Sequence, residues 1–505
     1  MRVSEEPNVE LLRQKANVLE TENDRLSRRV TELLRENLLL KDMGAEQVSF
    51  NLPDLLARVT GPVPSRLTKP GSERRANIER QDEAPKKPQT GHGPTAQPKL
   101  PVVSETFDLD EADKVCRQCG GKLEEWVGQE DETEVIDVVE RVWRVRQCKL
   151  KKYRCRCGAC VETADGPARL IKGGHYTPEV ALTTATAKYL DQLPLERQVQ
   201  MARRQGARLT TQTLWDQVSV LAGMLTPLCE RIKALVLSQP VIGVDESPFK
   251  LVQKGGSAKW QAWQMSSPVG VYFEILPAKS AEMGSRLLSG YRGTVVVDGA
   301  QTYKGLARDG PFTLANCWSH GRRQVLSAES EAPAQVAEFL DLVGELYTIE
   351  RKALREPEEG DERRGYRHRL DLEKLRELRA TESRAVIDRL HRWILEQRCV
   401  PGGLLKSGLD YIARRWTALT RFLDDPRIPL DNNQTESGYI WLAIGRRNYI
   451  GARSVRGTEV AATFYTVFES ARTCGTEPAA YLRYATEAVL RMEPVKLPHE
   501  WMASG

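Results

Sequence analysis

Pro240-Val-Ile-Gly-Val-Asp245-Glu246 and Thr294-Val-Val-Val-Asp298-Gly-Ala are the two stretches on which the fold turns. Each is a short run of mostly β-branched apolar residues, the pattern of a strand buried on both faces. Each ends in carboxylates, and a charge at the end of a buried strand costs solvation energy unless it is paired or bound to a metal. Strand ends of this kind open into the crevices where α/β proteins hold their ligands. Asp245 and Asp298 would repel each other if the strands brought them together, and a divalent cation resolves that repulsion. Oxygen donors suit Mg²⁺ or Mn²⁺. Between the two runs, residues 259–265 and 271–276 read as strands and residues 281–289 as a short helix.

A third acid follows in Pro429-Leu-Asp431-Asn-Asn-Gln-Thr-Glu436. Asp431 to Asn433 can start a helix, which puts Glu436 on its first turns. Arg446, Arg447, Arg453 and Arg456 follow as a basic flank suited to phosphates. Any one of the three acids taken alone reads better as a cap or a surface ion pair than as a site residue. Their coincidence, with two of them following apolar strands, favours a site.

Upstream, residues 177–239 carry a helical pattern. Thr177-Pro-Glu is a helix start, with an N-cap, Pro in the first turn and an early acid. A second helix spans 195–204, Gln205-Gly206 breaks it, and Thr210 or Thr211 caps a third toward Leu225. Helix, short Gly-containing turn, helix is the helix-turn-helix layout, and plain helical packing gives the same pattern.

Of the ten cysteines, six fall between Cys116 and Cys160. Cys116-Arg-Gln-Cys119 and Cys155-Arg-Cys157-Gly-Ala-Cys160 supply four thiolates for one tetrahedral structural zinc. Cys157 and Cys160 are the preferred second pair, with Cys155 able to replace one of them. Between the knuckles, residues 135–153 alternate as a hairpin would, and the second strand is basic (Arg141, Arg144, Arg146, Lys149, Lys151, Lys152, Arg154). That strand suits contact with DNA or a purely structural ribbon.

The N-terminus is a heptad repeat. Leu12, Leu19, Leu26, Leu33 and Leu40 form a d-position seam, with Val9, Ala16, Asn23, Val30 and Asn37 at a. Leucine at d with intermittent Asn at a favours a parallel two-stranded coil, hence a homodimer. Pairing of Lys15 with Glu20 and of Glu36 with Lys41 across the strands agrees. After Gly44 the composition turns to Pro, Gly, Gln and basic residues (Arg66, Lys69, Arg74, Arg75, Lys86, Lys87), which reads as a flexible linker.

The bulk numbers permit this reading without requiring it. The 505 residues need several domains, and a net charge of +5 is only mildly basic. No apolar run approaches a membrane span and the N-terminus has no signal-peptide core, so a cytoplasmic, nucleoid-associated protein with no membrane partner is expected.

Several strings together identify a family. Cys116-x-x-Cys119-Gly-Gly, Lys188-Tyr-Leu-Asp-Gln-Leu-Pro-Leu-Glu-Arg197-Gln, Asp245-Glu-Ser and Val297-Asp298-Gly-Ala-Gln-Thr-Tyr303 come first. Cys317-Trp-Ser-His320-Gly-Arg-Arg323, Asp431-Asn-Asn, and Gly445-Arg-Arg-Asn448 with Ser454 and Gly457-Thr follow. The chain resembles the IS66-type insertion-sequence transposases of the DDE group, from the zipper to about Leu482. The resemblance implies an RNase H-like core with a helical insertion before the last acid, and residues 342–423 have the charged helical pattern for it. It implies Asp245, Asp298 and Glu436 as catalytic acids holding two Mg²⁺ (or Mn²⁺). It places His320, Arg322 and Arg323 near the site as phosphate or strand contacts, alongside Arg446, Arg447 and Arg453. Asp245 is chosen over Glu246 because the family motif begins there and strand alternation lets only one of the two face the metals. The family usually follows its Glu with an Arg, whereas Ser437-Gly-Tyr-Ile-Trp follows Glu436 here.

The expected architecture is a multidomain α+β chain. It has a parallel coiled coil (1–44), a flexible linker (45–105), a small zinc-binding β domain with four cysteine ligands (106–172) and a helical, HTH-like DNA-binding region (173–238). The RNase H-like α/β catalytic core occupies 239–330 and 429–490 around the insertion at 331–428, and a tail spans 491–505. The implied activity is Mg-dependent cleavage of element ends in double-stranded DNA and their transfer to a target. The zipper would pair protomers, and small companion proteins of the same element would assist. The rival readings are a hydrolytic nuclease with the same core, and a zipper-and-zinc DNA-binding regulator with an inactive core.

Overall fold

The computed structural model describes residues 143–154, 161–253, 256–356, 369–400 and 402–502. All of them fall in the unit Val135–Gly505. The expected zipper and linker, and Cys116, Cys119, Cys155, Cys157 and Cys160, lie outside the described residues.

The chain enters through a short antiparallel pair, β1 (Lys152–Arg154) and β2 (Val161–Thr163). Residues 143–151 form no strand, and Lys152–Arg154 pair with the downstream Val161–Thr163, not with an upstream partner among the described residues. Val145 is 91% exposed among the described residues.

Three helices follow: α1 (Pro178–Ala185), α2 (Leu195–Arg204) and α3 (Thr211–Leu237). A π turn, Thr186–Leu190, separates the first two. The Thr210 hydroxyl accepts the Thr213 N–H at 3.1 Å, an N-cap. Leu195 and Val199 of α2 pack on Leu214 of α3, giving this helix pair its own small apolar seam. Helix α3 does not end near Leu225, as the sequence suggested. The buried stripe Leu221, Leu225, Leu228, Ile232 and Val236 carries it through an exposed Pro227 to Leu237.

Helix α3 delivers the chain to β3 (Val241–Gln253), β4 (Gly256–Ser267) and β5 (Gly270–Leu276). Then come α4 (Ala281–Leu287), β6 (Thr294–Val297), α5 (Gln301–Asp309) and β7 (Thr313–Asn316). The sheet order is β5-β4-β3-β6-β7, with β3, β4 and β5 antiparallel and β6 and β7 parallel to β3.

Strand alternation assigns the residues to two faces. Ile242, Val244, Val295 and Val297 join the core beneath α3 and α14 (Val455–Thr473). Val241, Val296 and Ala315 join a second core with Trp318 and the helices that follow.

Those helices are α6 (Trp318–Leu326), α7 (Pro333–Lys352), α8 (Leu372–Leu378), α9 (Arg384–Glu396), α10 (Leu404–Ala413) and α11 (Trp416–Thr420). Among the described residues they occupy the stretch before the third acid. Buried Arg379 locks this layer, donating Nε–H to Glu350 Oε1 at 2.7 Å and Nη1–H to the Phe422 carbonyl at 2.7 Å. The chain closes with α12 (Asn433–Ser437), α13 (Tyr439–Tyr449), α14, α15 (Pro478–Leu490) and α16 (Pro498–Met502). No helix among the described residues is long and apolar enough to cross a membrane.

Candidate active site

Asp245 is not at the end of its strand, because β3 runs on to Gln253 against β4. What ends is the pairing with β6, whose last pair is Gly243 with Val296. Asp245 and Asp298 each stand two residues beyond that pair. They share parity with Val241 and Val296, which belong to the sheet face beneath helices α6 to α11. A parallel pair that stops pairing thus leaves two carboxylates at one level on one face.

The third acid arrives on α12 over the same face. Gly243 marks where that helix presses closest: a Cβ there would run into Thr435 Oγ1 and stand 2.7 Å from Asn432 Oδ1. The turn is stitched down by side chains. Asn432 Nδ2–H donates to the Val244 carbonyl at 3.2 Å, and Gln264 Nε2–H donates to the Thr435 carbonyl at 3.0 Å. The Ser266 and Thr435 hydroxyls share a hydrogen bond at 2.7 Å. Asp431 accepts the Asn433 N–H at 3.1 Å and Nδ2–H at 2.9 Å.

The charges of the three acids act on one another, although among the described residues the donor atoms that converge within 4.8 Å are those of Cys317, His320 and Glu436, without either aspartate. The Asp245 carboxyl is pushed up to about 7, first by burial, then by the charge of Glu246, with Asp298 and Glu436 adding to it. The Glu246 N–H, donated to Asp245 Oδ1 at 2.9 Å, opposes the rise. Oxygen donors whose charges disfavour one another are a set that a hard divalent cation fits.

Glu246 has a different fate. Its side chain is 1% exposed, ion-paired with Lys279 and accepting the Tyr303 hydroxyl. Strand alternation turns it to the opposite face from Asp245.

Asp298 is held from both sides. Its Oδ1 accepts the Ala300 N–H at 2.8 Å. From α10 and the residues just after it, Tyr411 donates its hydroxyl to the Asp298 carbonyl at 2.6 Å, and Arg415 donates Nε–H and Nη2–H to the Gly299 carbonyl at 3.0 and 2.8 Å. The Arg415 guanidinium lies 3.7 Å over the Tyr411 ring. Nothing in the sequence flagged Tyr411, Arg415, Lys279 or Tyr439 for the site. Tyr303 stood in a family string, without a role.

The Cys317–Arg323 string supplies the start of α6. His320 Nδ1 stands 3.5 Å from Glu436 Oε1, and a His320 ring nitrogen, a Glu436 carboxylate oxygen and Cys317 Sγ lie within 4.8 Å of one another. Cys317 Sγ accepts the Asn432 N–H at 3.2 Å, and burial pushes its thiol up to about 12. Arg322 is half-buried and Arg323 exposed on the same helix.

The basic flank divides. Arg446 Nη1–H donates to Ser247 Oγ at 2.8 Å, and Arg456 Nη2–H donates to the Ser219 carbonyl at 2.8 Å, so both brace the core. Arg447 is exposed, and Arg453 is 86% exposed, 3.7 Å from Glu196. The Ser437–Trp441 departure has a structural use. A Cβ at Gly438 would stand 2.5 Å from Gln264 Nε2, and the Tyr439 hydroxyl reaches the Asp245 carbonyl at 2.6 Å. Two family strings also meet away from the acids, where Asn448 Nδ2–H donates to the Gln192 carbonyl at 3.0 Å.

Comparison with known proteins supplies the family of the chain. Residues 173–460 match the family model described as Transposase IS66 family, and residues 113–158 match the zinc-finger binding domain of transposase IS66. The first match covers more than half of the chain, which therefore belongs to the IS66 transposase family. Two relatives come from Sinorhizobium fredii (strain NBRC 101917 / NGR234). Uncharacterized protein y4jD is 28% identical over 518 residues, covering 95% of this chain and 96% of the relative. Uncharacterized protein y4hP is 26% identical over 423 residues, covering 76% and 73%.

Proposed function

We propose that this transposase cuts the ends of its element and joins them to target DNA at a centre formed by Asp245, Asp298 and Glu436. The observation that carries the reading is the placement of Asp245 and Asp298 at one level on one sheet face, with Glu436 close enough to add to the charge on Asp245. The sheet order, three antiparallel strands followed by two parallel to the first, supports an RNase H-like core.

The three carboxylates would hold two Mg²⁺ or Mn²⁺ ions, which supply an activated water or 3′-hydroxyl and stabilise the leaving oxygen at the scissile phosphate. The chain's own work is positioning. Tyr439 fixes the main chain at Asp245, Tyr411 and Arg415 fix it at Asp298, and the Asn432–Thr435 turn fixes Glu436. Arg322, Arg323, Arg447 and Arg453 contact DNA phosphates, while Arg446 acts through the strand it braces. The α2–α3 pair, with its own apolar seam, serves as the helix-turn-helix unit.

Cys116, Cys119 and two cysteines of the Cys155–Cys160 run hold one zinc. The zinc-finger match includes Cys155 and Cys157 and stops before Cys160. Zinc content of the Cys155→Ser and Cys160→Ser chains decides the pair. The N-terminal heptads pair two protomers, so that two ends are held together, and small proteins of the same element assist.

Asp298→Asn tests the centre: strand cleavage should vanish while end binding and the fold persist. Undiminished cleavage by that variant sinks the assignment. A tagged end with a supercoiled target separates transposase from nuclease, since only a transposase yields joined product. Metal-independent binding with no cleavage by the unaltered chain would instead support the regulator.

A further inference from the structure

We propose that His320 is itself a cation ligand, making the centre a mixed nitrogen–oxygen site that takes Mn²⁺ in preference to Mg²⁺. The inference rests on the reading of Asp245, Asp298 and Glu436 as cation-holding acids.

His320 and Glu436 reach the same point from different parts of the chain, one on the first turn of α6 and the other on α12. His320 Nδ1 and Glu436 Oε1 are both buried and neither has a hydrogen-bond partner. Buried polar atoms in folded proteins are nearly always satisfied, so two orphans facing each other need an explanation. A direct hydrogen bond does not provide it, because their separation of 3.5 Å exceeds the ordinary range for N–H···O. The separation suits two neighbouring ligands of one ion: metal–ligand bonds of about 2.1 Å put adjacent octahedral ligands roughly 3 Å apart. A cation between them would satisfy both orphans at once.

Cys317 completes the cluster geometrically without being needed as a ligand. Its Sγ accepts the Asn432 N–H, which ties the start of α6 to the turn carrying Glu436. The thiol thus holds the two ligand-bearing elements in register. An imidazole nitrogen among carboxylates discriminates against Mg²⁺, which favours all-oxygen shells, and toward first-row transition ions.

The test uses the full-length, zinc-loaded chain with Mn²⁺ as the probe, read by pulsed electron paramagnetic resonance and by titration. The expected result is ¹⁴N modulation of the Mn²⁺ echo in the unaltered protein, lost in His320→Asn. Mn²⁺ affinity should fall roughly tenfold or more in that variant, with a smaller loss for Mg²⁺. Bound Mn²⁺ without ¹⁴N modulation in the unaltered chain overturns the inference, and this measurement needs no variant to fold. Modulation that survives in His320→Asn also overturns it, since another histidine would then be the source. Asp298→Asn separates the two levels. If it leaves Mn²⁺ binding untouched, the carboxylate centre itself is wrong. If it weakens binding while nitrogen modulation is absent from the unaltered chain, only the role of His320 fails.

Discussion

The Tyr439 hydroxyl lies 2.6 Å from the carbonyl oxygen of Asp245, and the Tyr411 hydroxyl lies 2.6 Å from that of Asp298. Each proposed catalytic aspartate thus has its main chain clamped by a tyrosine from a helical element later in the sequence. Tyr439 stands 2.9 Å from the Ala262 carbonyl as well, so its one proton chooses between two strands. Tyr439→Phe should cost about 1 kcal/mol of stability, the usual net worth of one hydrogen bond. Strand cleavage should fall by more than that loss explains, because small displacements of catalytic groups are expensive. Tyr411→Phe should do the same at Asp298. Denaturation curves beside cleavage rates, with end binding as control, check both. Cleavage unchanged in both variants would deny the clamps any part in the chemistry.

The adjacent acids Asp245 and Glu246 should behave as opposites. Asp245→Asn removes a proposed cation ligand and should lower cleavage by at least about a thousandfold, several kcal/mol of barrier. Glu246→Gln should leave cleavage within a few fold, because that carboxylate faces Lys279 and Tyr303 across the sheet. Lys279→Met should destabilise the fold by about 1–3 kcal/mol, toward the low end since Lys279 is 39% exposed. Loss of cleavage in Glu246→Gln, with the fold intact, would reverse the assignment of the two acids.

Much of the core was legible because its signals are local. The β-branched runs before Asp245 and Asp298 gave the strands, and Thr210 and Gly206 gave the helix pair. Alternation allowed only one of Asp245 and Glu246 to face a cation, and the family string chose Asp245. What stayed hidden depends on neighbours distant in sequence. No periodicity shows that β3 continues to Gln253, since that length comes from its pairing with β4. Helix α3 outran its expected end because burial of Leu228, Ile232 and Val236 outweighs the lost N–H of Pro227. Tyr411 and Arg415 look like ordinary residues of a charged helix, and only packing brings them to Asp298. The Ser437–Trp441 departure from the family pattern stood out in the sequence, but nothing in it named Tyr439 as the partner of the Asp245 carbonyl.

The Asp245 carboxyl titrates near 7 instead of its ordinary 3.8, so the fold favours its protonated form. Such a group adds stability that is fully present below about 4 and is lost as pH rises through about 7. Chelated protein should therefore melt at a higher temperature at pH 6 than at pH 8, relative to Asp245→Asn, whose amide does not titrate. Glu469, which burial also raises to about 7, is common to both proteins and cancels in the difference. Protons compete with the cation for Asp245, so Mn²⁺ affinity should climb up to about pH 7 and then level off. Thermal melts with chelator and Mn²⁺ titrations across this range measure both. The same pH trend in both proteins would remove Asp245 as its cause.

Gly243 tests whether the close approach of α12 matters to the chemistry. Its Cα faces Thr435 Oγ1, with Asn432 Oδ1 and Ser266 Oγ also within 3 Å of where a Cβ would stand. These atoms are the far ends of short side chains, but Thr435 and Asn432 are both committed to hydrogen bonds with β3 and β4. A methyl group there cannot be absorbed by rotating one of them without breaking a bond that positions Glu436. Gly243→Ala should thus cost about 1–3 kcal/mol, the usual range for an overpacked interior. The surviving folded protein should bind Mn²⁺ more weakly, because the turn carrying Glu436 is pushed off the sheet. Gly270→Ala is the matched control. Its nearest neighbours stand at 3.6 Å or more, so it should leave cation binding unchanged. Equal Mn²⁺ affinity in the two variants would mean that Glu436 reaches the cation, if at all, independently of how α12 is seated.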